Sequence, residues 1–258
     1  MAERSEYVAG TFCWCDLSSG DQDGAKAFYS GLFGWEANDT PIGDGVVYSM
    51  MSHRGKPVAA ISPQQPAQRE AGVPPMWNNY VAVTDADAAA ERAKELGGTV
   101  LSPAFDVMEA GRMAVLADPQ GAVIMVWQAG QVHGAELVTE VGALVWNELA
   151  TPDLEGASAF YGGLFGWTFT PFEGAPMPYS VIMNGERSNG GIAVPDEPVP
   201  PCWLPYFGVE DLDASIATAE RLGGATRIGP ADLPMARVAM ITDPEGAPLW
   251  LYAGEYQP

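Results

Sequence analysis

The sequence predicts an α+β fold of four βαβββ modules arranged as two similar domains. Three observations lead there. The first is an internal duplication. Ala-Phe-Tyr-Ser-Gly-Leu-Phe-Gly-Trp at 27–35 returns as Ala-Phe-Tyr-Gly-Gly-Leu-Phe-Gly-Trp at 159–167, and Tyr48-Ser49 returns as Tyr179-Ser180. Trp77-Asn78-Asn79-Tyr80 has its counterpart in Trp203-Leu204-Pro205-Tyr206, and Asp118-Pro119-Gln120-Gly121 in Asp243-Pro244-Glu245-Gly246. Two long copies in one order make a pair of domains, because solenoid repeats are shorter and more numerous. The second observation is that strand and helix periodicities alternate twice within each copy. The third is length: 258 residues give each copy enough chain to bury its own core. The expected domains are 1–132 and 140–258, joined by a linker at about 131–139.

The elements follow in order. Residues 11–17 read as a strand, with Phe12, Trp14 and Asp16 on one face and Thr11, Cys13 and Cys15 on the other. Asp21 suits a helix N-cap. Ala25, Phe28, Tyr29 and Leu32 then form one apolar helical stripe, stopped by Gly34 in the left-handed position. The second copy repeats the stripe as Ala157, Phe160, Tyr161 and Leu164, stopped by Gly166. Tyr29 and Tyr161 are therefore expected in the core. Strands are predicted at 35–37, 46–52 and 56–61. A Pro/Gln-rich connector at 63–75 interrupts the pattern before a strand at 78–83, a helix at 87–96 and strands at 99–101, 111–117 and 122–128. Asp-Pro-X-Gly suits a type I turn joining the last two strands. The second copy reproduces this half at 206–209, 212–222, 237–242 and 248–252. Arg112 and Arg237, repeat-related, are expected to pair with a carboxylate rather than to clamp a substrate.

A formal charge of −21 repels phosphate backbones and anionic lipid, so neither nucleic acid nor membrane is expected as a partner. Cys13, Cys15 and Cys202 make no disulfide framework, and Cys-X-Cys is too tight for an unstrained bridge. They are expected to be small buried hydrophobes, the first two on one strand face. The opening residues carry charge and no apolar signal segment, and no stretch reaches membrane-spanning length. A cytoplasmic location is expected. No Rossmann or P-loop glycine pattern occurs, and two histidines cannot supply a symmetric Ser-His-Asp or Cys-His set.

The module order, the helix carrying Phe-Tyr before Leu-Phe-Gly-Trp and the closing Asp-Pro-X-Gly hairpin resemble the glyoxalase/bleomycin-resistance/extradiol-dioxygenase superfamily, also called vicinal oxygen chelate proteins. The resemblance implies two glyoxalase-like open-barrel domains, each with a concave face for a ligand. It also implies, for the enzymes of the family, a divalent metal held by His, Glu or Gln from the first and last strands of two modules. Carried onto this sequence, those positions fall at Trp14, Ala60, Asn78 and Met125, and in the second copy at Trp146, Gly191, Leu204 and Trp250. None is a histidine or a carboxylate. Indole nitrogen is a donor only, and a thioether is a poor ligand for a hard ion. A slip of two residues brings in Asp16 or Glu148, still one carboxylate per copy. His53 and His133 have no partner in the other copy. No metal site and no cofactor are expected.

Carried along the strands in steps of two, the cup-facing register gives Phe12, Trp14, Asp16, Asn78, Tyr80, Met125 and Trp127. In the second copy it gives Leu144, Trp146, Glu148, Leu204, Tyr206, Pro248, Trp250 and Tyr252. Aromatic walls stack on flat apolar molecules, and a carboxylate orients an amine or hydroxyl. The expected partner is an aromatic or hydrophobic small molecule, bound without the metal. The alternative is a tailoring enzyme using Asp16 or Glu148 with Tyr80 or Tyr206 as acid/base groups. The tryptophans could also simply fill each cup. Module pairing within or across copies, and monomer or homodimer, stay open at this level.

Overall fold

The structure is a computed structural model that describes residues 2–43 and 45–256. Each copy of the repeat makes one curled sheet. In the first, eight strands run in the order Glu36–Gly43, Val46–His53, Lys56–Pro63, Phe12–Ser19, Met76–Ala82, Val123–Ala129, Gly111–Ala117, Thr99–Val107. The two modules join through their opening strands: Phe12–Ser19 lies antiparallel to Met76–Ala82, and each runs parallel to the closing strand of its own module. Modules therefore pair within a copy. The second sheet repeats the order with Leu144–Ala150 and Cys202–Gly208 at its centre. Two short strands, Ala2–Glu3 and Leu137–Val138, extend it to ten. The N-terminus thus attaches to the second copy's sheet, and part of the segment between the copies is itself a strand.

Local chemistry accounts for most boundaries. Asp21, Asp85, Asp153 and Asp211 each accept from the backbone N–H three residues on, capping the four long helices. Gly34 and Gly166 close two of them at φ 70° and 74°, a left-handed conformation that glycine adopts without penalty. In both hairpins the turn glycine N–H donates to the aspartate carbonyl at 3.0 Å. The outer strands Glu36–Gly43 and Thr99–Val107 run well past the predicted 35–37 and 99–101. They are exposed sheet edges containing proline and charge, so no alternation marks them in the sequence. The connector at 63–75 holds one short helix, Pro66–Glu70. Arg112 binds Asp87 and Asp106, and Arg237 binds Asp213 and Asp232, tying each helix start to the neighbouring hairpin.

The helix-covered faces of the two sheets meet in the middle of the molecule and the cups face outward. The helix of one module packs on the helix of the other copy's opposite module: Gln22–Phe33 on Leu212–Arg221, and Ala86–Glu95 on Leu154–Phe165. One core joins Leu17, Phe28, Met51 and Ile61 to Phe207, Ile241 and Leu249, and a second joins Val81, Leu116 and Ile124 to Phe160, Ile182 and Ile192. Two repeat-related polar networks cross this interface. Tyr29 donates to Asp243 at 3.1 Å and accepts from Trp77 at 3.2 Å. Tyr161 donates to Asp118 at 3.1 Å and accepts from Trp203 at 2.8 Å. The other oxygen of each aspartate receives two N–H groups of its own turn. Both tyrosines are core residues, and the hairpin turn of each copy is anchored to the helix of the other.

One expectation fails on the opening strand. The pairing register shifts between Phe12 and Trp14, and again between Leu144 and Trp146. Such a bulge adds one residue and reverses the alternation beyond it. Phe12 consequently leaves the cup and packs in the central core, 5.5 Å from the ring of Trp167 and 5.0 Å from that of Trp203. The same bulge separates the two thiols: Cys13 sits with the first cup's side chains, and Cys15 in the central core. All three cysteines are free.

Candidate functional site

Each cup is built around one buried carboxyl. In the first, Asp16 stands beside Ala60 on one neighbouring strand and Asn78 on the other. Asn78 Nδ2 donates to Oδ1 at 2.8 Å, while the hydroxyls of Tyr80 and Tyr48 donate to Oδ2 at 2.7 and 3.1 Å. Burial raises the Asp16 pKa, and these three donors pull it back. Trp14 donates its indole N–H to Tyr48 at 3.0 Å. Trp127 stands edge-on to Tyr80 and bonds the Val132 carbonyl, while Met125 packs beside them. The segment between the copies closes over this group, with Ala135 and Val138 buried against it. The first cup is filled by its own side chains.

The second cup repeats the scaffold but differs in its walls, where Trp250 and Tyr252 stand in place of Met125 and Trp127, and at the carboxyl and its two strand neighbours. Glu148 replaces Asp16, Leu204 replaces Asn78 and Gly191 replaces Ala60. Tyr206 donates to Glu148 Oε2 at 2.8 Å, and the hydroxyl of Tyr179 lies beside the same carboxyl and joins Tyr206 in stabilising its charge. Without an amide donor, burial dominates and the Glu148 pKa rises from 4.5 to about 7. The walls are looser: Trp146 and Trp250 are only half-buried, where Trp14 and Met125 are buried. Trp146 donates to the Tyr179 hydroxyl at 2.9 Å, and Trp250 stacks on Tyr206 at 5.2 Å with 15° between the planes. Tyr252 lies farther along the strand, its hydroxyl on the Glu255 carbonyl and its ring 5.8 Å from that of Tyr256.

The structure thus brings together Trp14, Asp16, Asn78, Tyr80, Met125 and Trp127 in one cup, and Trp146, Glu148, Tyr206 and Trp250 in the other. Phe12 and Leu144 are excluded, both lying before the bulge and in the central cores, and Tyr252 sits toward the rim. Sequence reasoning missed Tyr48 and Tyr179, although the repeated Tyr-Ser dipeptide marked them. It also missed the meaning of Gly191: a Cβ there would collide with the Tyr179 hydroxyl, so glycine is what lets that hydroxyl reach the longer Glu148 side chain. Gly191→Ala should displace the hydroxyl and raise the Glu148 pKa further, read by NMR titration of the side-chain carboxyl carbon. An unchanged midpoint would remove Tyr179 from the site.

The donor set does not fit a divalent cation. In the pairing register Asp16 and Glu148, rather than Trp14 and Trp146, stand level with the neighbouring positions where the resemblance expects ligands. Their neighbours are Ala60 and Asn78 in one cup, Gly191 and Leu204 in the other. The Asn78 amide and both tyrosines already donate hydrogen to Asp16. Among the described residues no cluster of three His, Cys, Asp or Glu side chains could hold an ion.

A duplicated βαβββ sheet with a polar group deep in its concave face defines a class of small-molecule proteins. The sequence profile of the Glyoxalase/Bleomycin resistance protein/Dioxygenase superfamily matches residues 11–126. A Mycobacterium tuberculosis protein named "Putative glyoxylase CFP32" is 46% identical over 96% of both chains. The "Anthracycline biosynthesis protein DauV" of Streptomyces sp. (strain C5) is 35% identical over 94% of this chain and 93% of its own. The chain belongs to this superfamily. Among solved structures, the Mn(II)-bound glyoxalase from Novosphingobium aromaticivorans superposes with a TM-score of 0.65 at 16% identity, covering 95% of this chain and 82% of that one. The 2,3-dioxygenase LapB from Pseudomonas sp. KL28 superposes with the same TM-score at 13% identity, covering 98% and 95%. At such identity these two share the fold. No described helix is long and apolar enough to cross a membrane.

Proposed function

We propose that the protein binds a planar aromatic or hydrophobic small molecule in its second cup, without the superfamily's metal centre. The observation that carries this reading is the Glu148 carboxyl, held by Tyr206 at the bottom of a cup whose indoles, Trp146 and Trp250, are half-buried. Indole faces offer stacking area, and a buried carboxyl fixes the orientation of a hydroxyl or amine. The first cup, closed by the segment between the copies, serves as the structural counterpart. The domains are taken as 1–132 and 140–258, working in the cytoplasm as monomer or homodimer. The name of the DauV relative points the same way, since anthracyclines are fused-ring aromatic compounds.

One observation favours a second reading, a tailoring enzyme acting on such a compound. A carboxyl titrating at about 7 is matched to proton transfer at neutral pH. Glu148 would take a proton from a phenolic or enolic hydroxyl and return it elsewhere, with Tyr206 holding the carboxylate. Titration of the protein's tryptophan fluorescence with planar aromatics should show quenching at micromolar concentration, weakened by Gly191→Ala. A panel in which nothing binds, or stoichiometric metal in the purified protein, overturns the proposal. Turnover lost in Glu148→Gln with binding retained selects the enzyme reading.

A further inference from the structure

A cleft of about 500 Å³ lies at the rim of the first cup, apart from both carboxyls. Its lining brings Trp14, Met50 and Val132 together with two cationic side chains, Arg4 and Lys56, and two carboxylates, Glu3 and Glu136. A hollow of this size accepts a drug-sized molecule.

The walls are tied in place by backbone groups. Arg4 N–H donates to the Glu136 carbonyl at 3.0 Å, Ala135 N–H to Cys13 at 2.8 Å and Glu136 N–H to Pro57 at 2.8 Å. Tyr7 adds a hydroxyl bond of 2.6 Å to the Ala135 carbonyl. The cleft is therefore part of the folded scaffold, made where the N-terminal segment and the segment between the copies cross the cup mouth.

Its electrostatics are unusual for a chain of charge −21. Both carboxylates of the cleft are drawn to Lys56, Glu3 at 3.4 Å and Glu136 at 3.7 Å, rather than to Arg4. Arg4 is half-buried, and its guanidinium has no carboxylate within ion-pairing distance among the described residues, although acidic side chains outnumber basic ones 33 to 12. An unpaired guanidinium beside apolar side chains recognises a molecule with a flat apolar body and one anionic oxygen group, because a charge-assisted bond to Arg is strongest where water is partly excluded. We infer that this cleft is a binding site for an aromatic monoanion, its rings on Trp14, Met50 and Val132 and its carboxylate or sulfonate on Arg4. The site is independent of the second cup.

Two probes sharing one ring system test it: 1-anilinonaphthalene-8-sulfonate and the uncharged N-phenyl-1-naphthylamine, titrated by fluorescence into the full chain. The sulfonate should bind the unsubstituted protein, and Arg4→Gln should weaken it about tenfold, the scale of one charge-assisted bond. The uncharged probe should bind both proteins alike. Val132→Asp, at an exposed wall position, should weaken both probes. Sulfonate binding that Arg4→Gln leaves unchanged, or binding of both probes that Val132→Asp leaves unchanged, overturns the site. Effects confined to Glu148→Gln or Gly191→Ala bear on the second cup alone.

Discussion

Tyr161→Phe is expected to destabilise the protein by about 2–4 kcal/mol, and Tyr29→Phe by a similar amount. The reason is the position of the hydroxyl rather than the ring. Phenylalanine keeps the stacked aromatic cluster with Trp167 and the edge contact with Trp203. It removes the one atom that accepts the Trp203 indole N–H and donates to Asp118. Both partners are buried, so the substitution strands a donor and leaves a buried carboxylate oxygen without its proton donor, each costing roughly 1–3 kcal/mol. The repeat-related networks share no residue, so the double variant should fall by about the sum. Urea denaturation followed by far-UV circular dichroism measures this. A double variant within about 0.5 kcal/mol of the unsubstituted protein would show that the crossed tyrosines do not hold the copies together.

Glu148→Gln should flatten the dependence of stability on pH. Below about pH 4.5 the carboxyl is protonated whether the chain is folded or not, and its contribution is fully present. As pH rises the unfolded chain releases the proton first, while the folded cup holds it until about 7. Stability therefore declines between these values and stays lower above them. A shift from 4.5 to about 7 corresponds to roughly 3 kcal/mol at about 1.4 kcal/mol per pH unit. Glutamine keeps an oxygen for Tyr206 and carries no proton to lose. The variant should match the unsubstituted protein near pH 4.5 and exceed it at pH 8, with a residual slope from Asp16, whose pKa is raised in the same direction. Denaturation curves at several pH values decide the matter. Identical slopes would mean that Glu148 is ionised and solvated in the folded protein.

The two experiments probe different layers of the same duplication. The tyrosine networks use residues that both copies retain, at the interface that both must form. The carboxyls use residues on which the copies have diverged. Asp16 receives three donors and lies beneath a closed group of side chains. Glu148 faces Leu204 instead of an amide and is flanked by half-buried indoles. One copy holds its carboxyl under three donors, and the other holds it under tyrosine hydroxyls between half-buried indoles.

What the sequence by itself determined is the part written in local pattern. The Phe-Tyr stripe, the aspartate caps, the Asp-Pro-X-Gly turn and their repetition define four modules and two sheets, because helix and strand periods and turn chemistry act over a few residues. The same pattern placed one carboxyl in each cup. Tertiary structure decided the rest. Phe12 turns away from the cup because a bulge reverses the alternation, and a bulge depends on how two distant strands pair. Tyr48 and Tyr179 join the carboxyls only once their strands are laid beside Phe12–Ser19 and Leu144–Ala150 through an intervening strand. Gly191 acquires its role from a hydroxyl on another strand. The segment between the copies packs over the first cup and pairs with the second copy's sheet, a consequence of where a connecting chain crosses the surface that no short-range periodicity records.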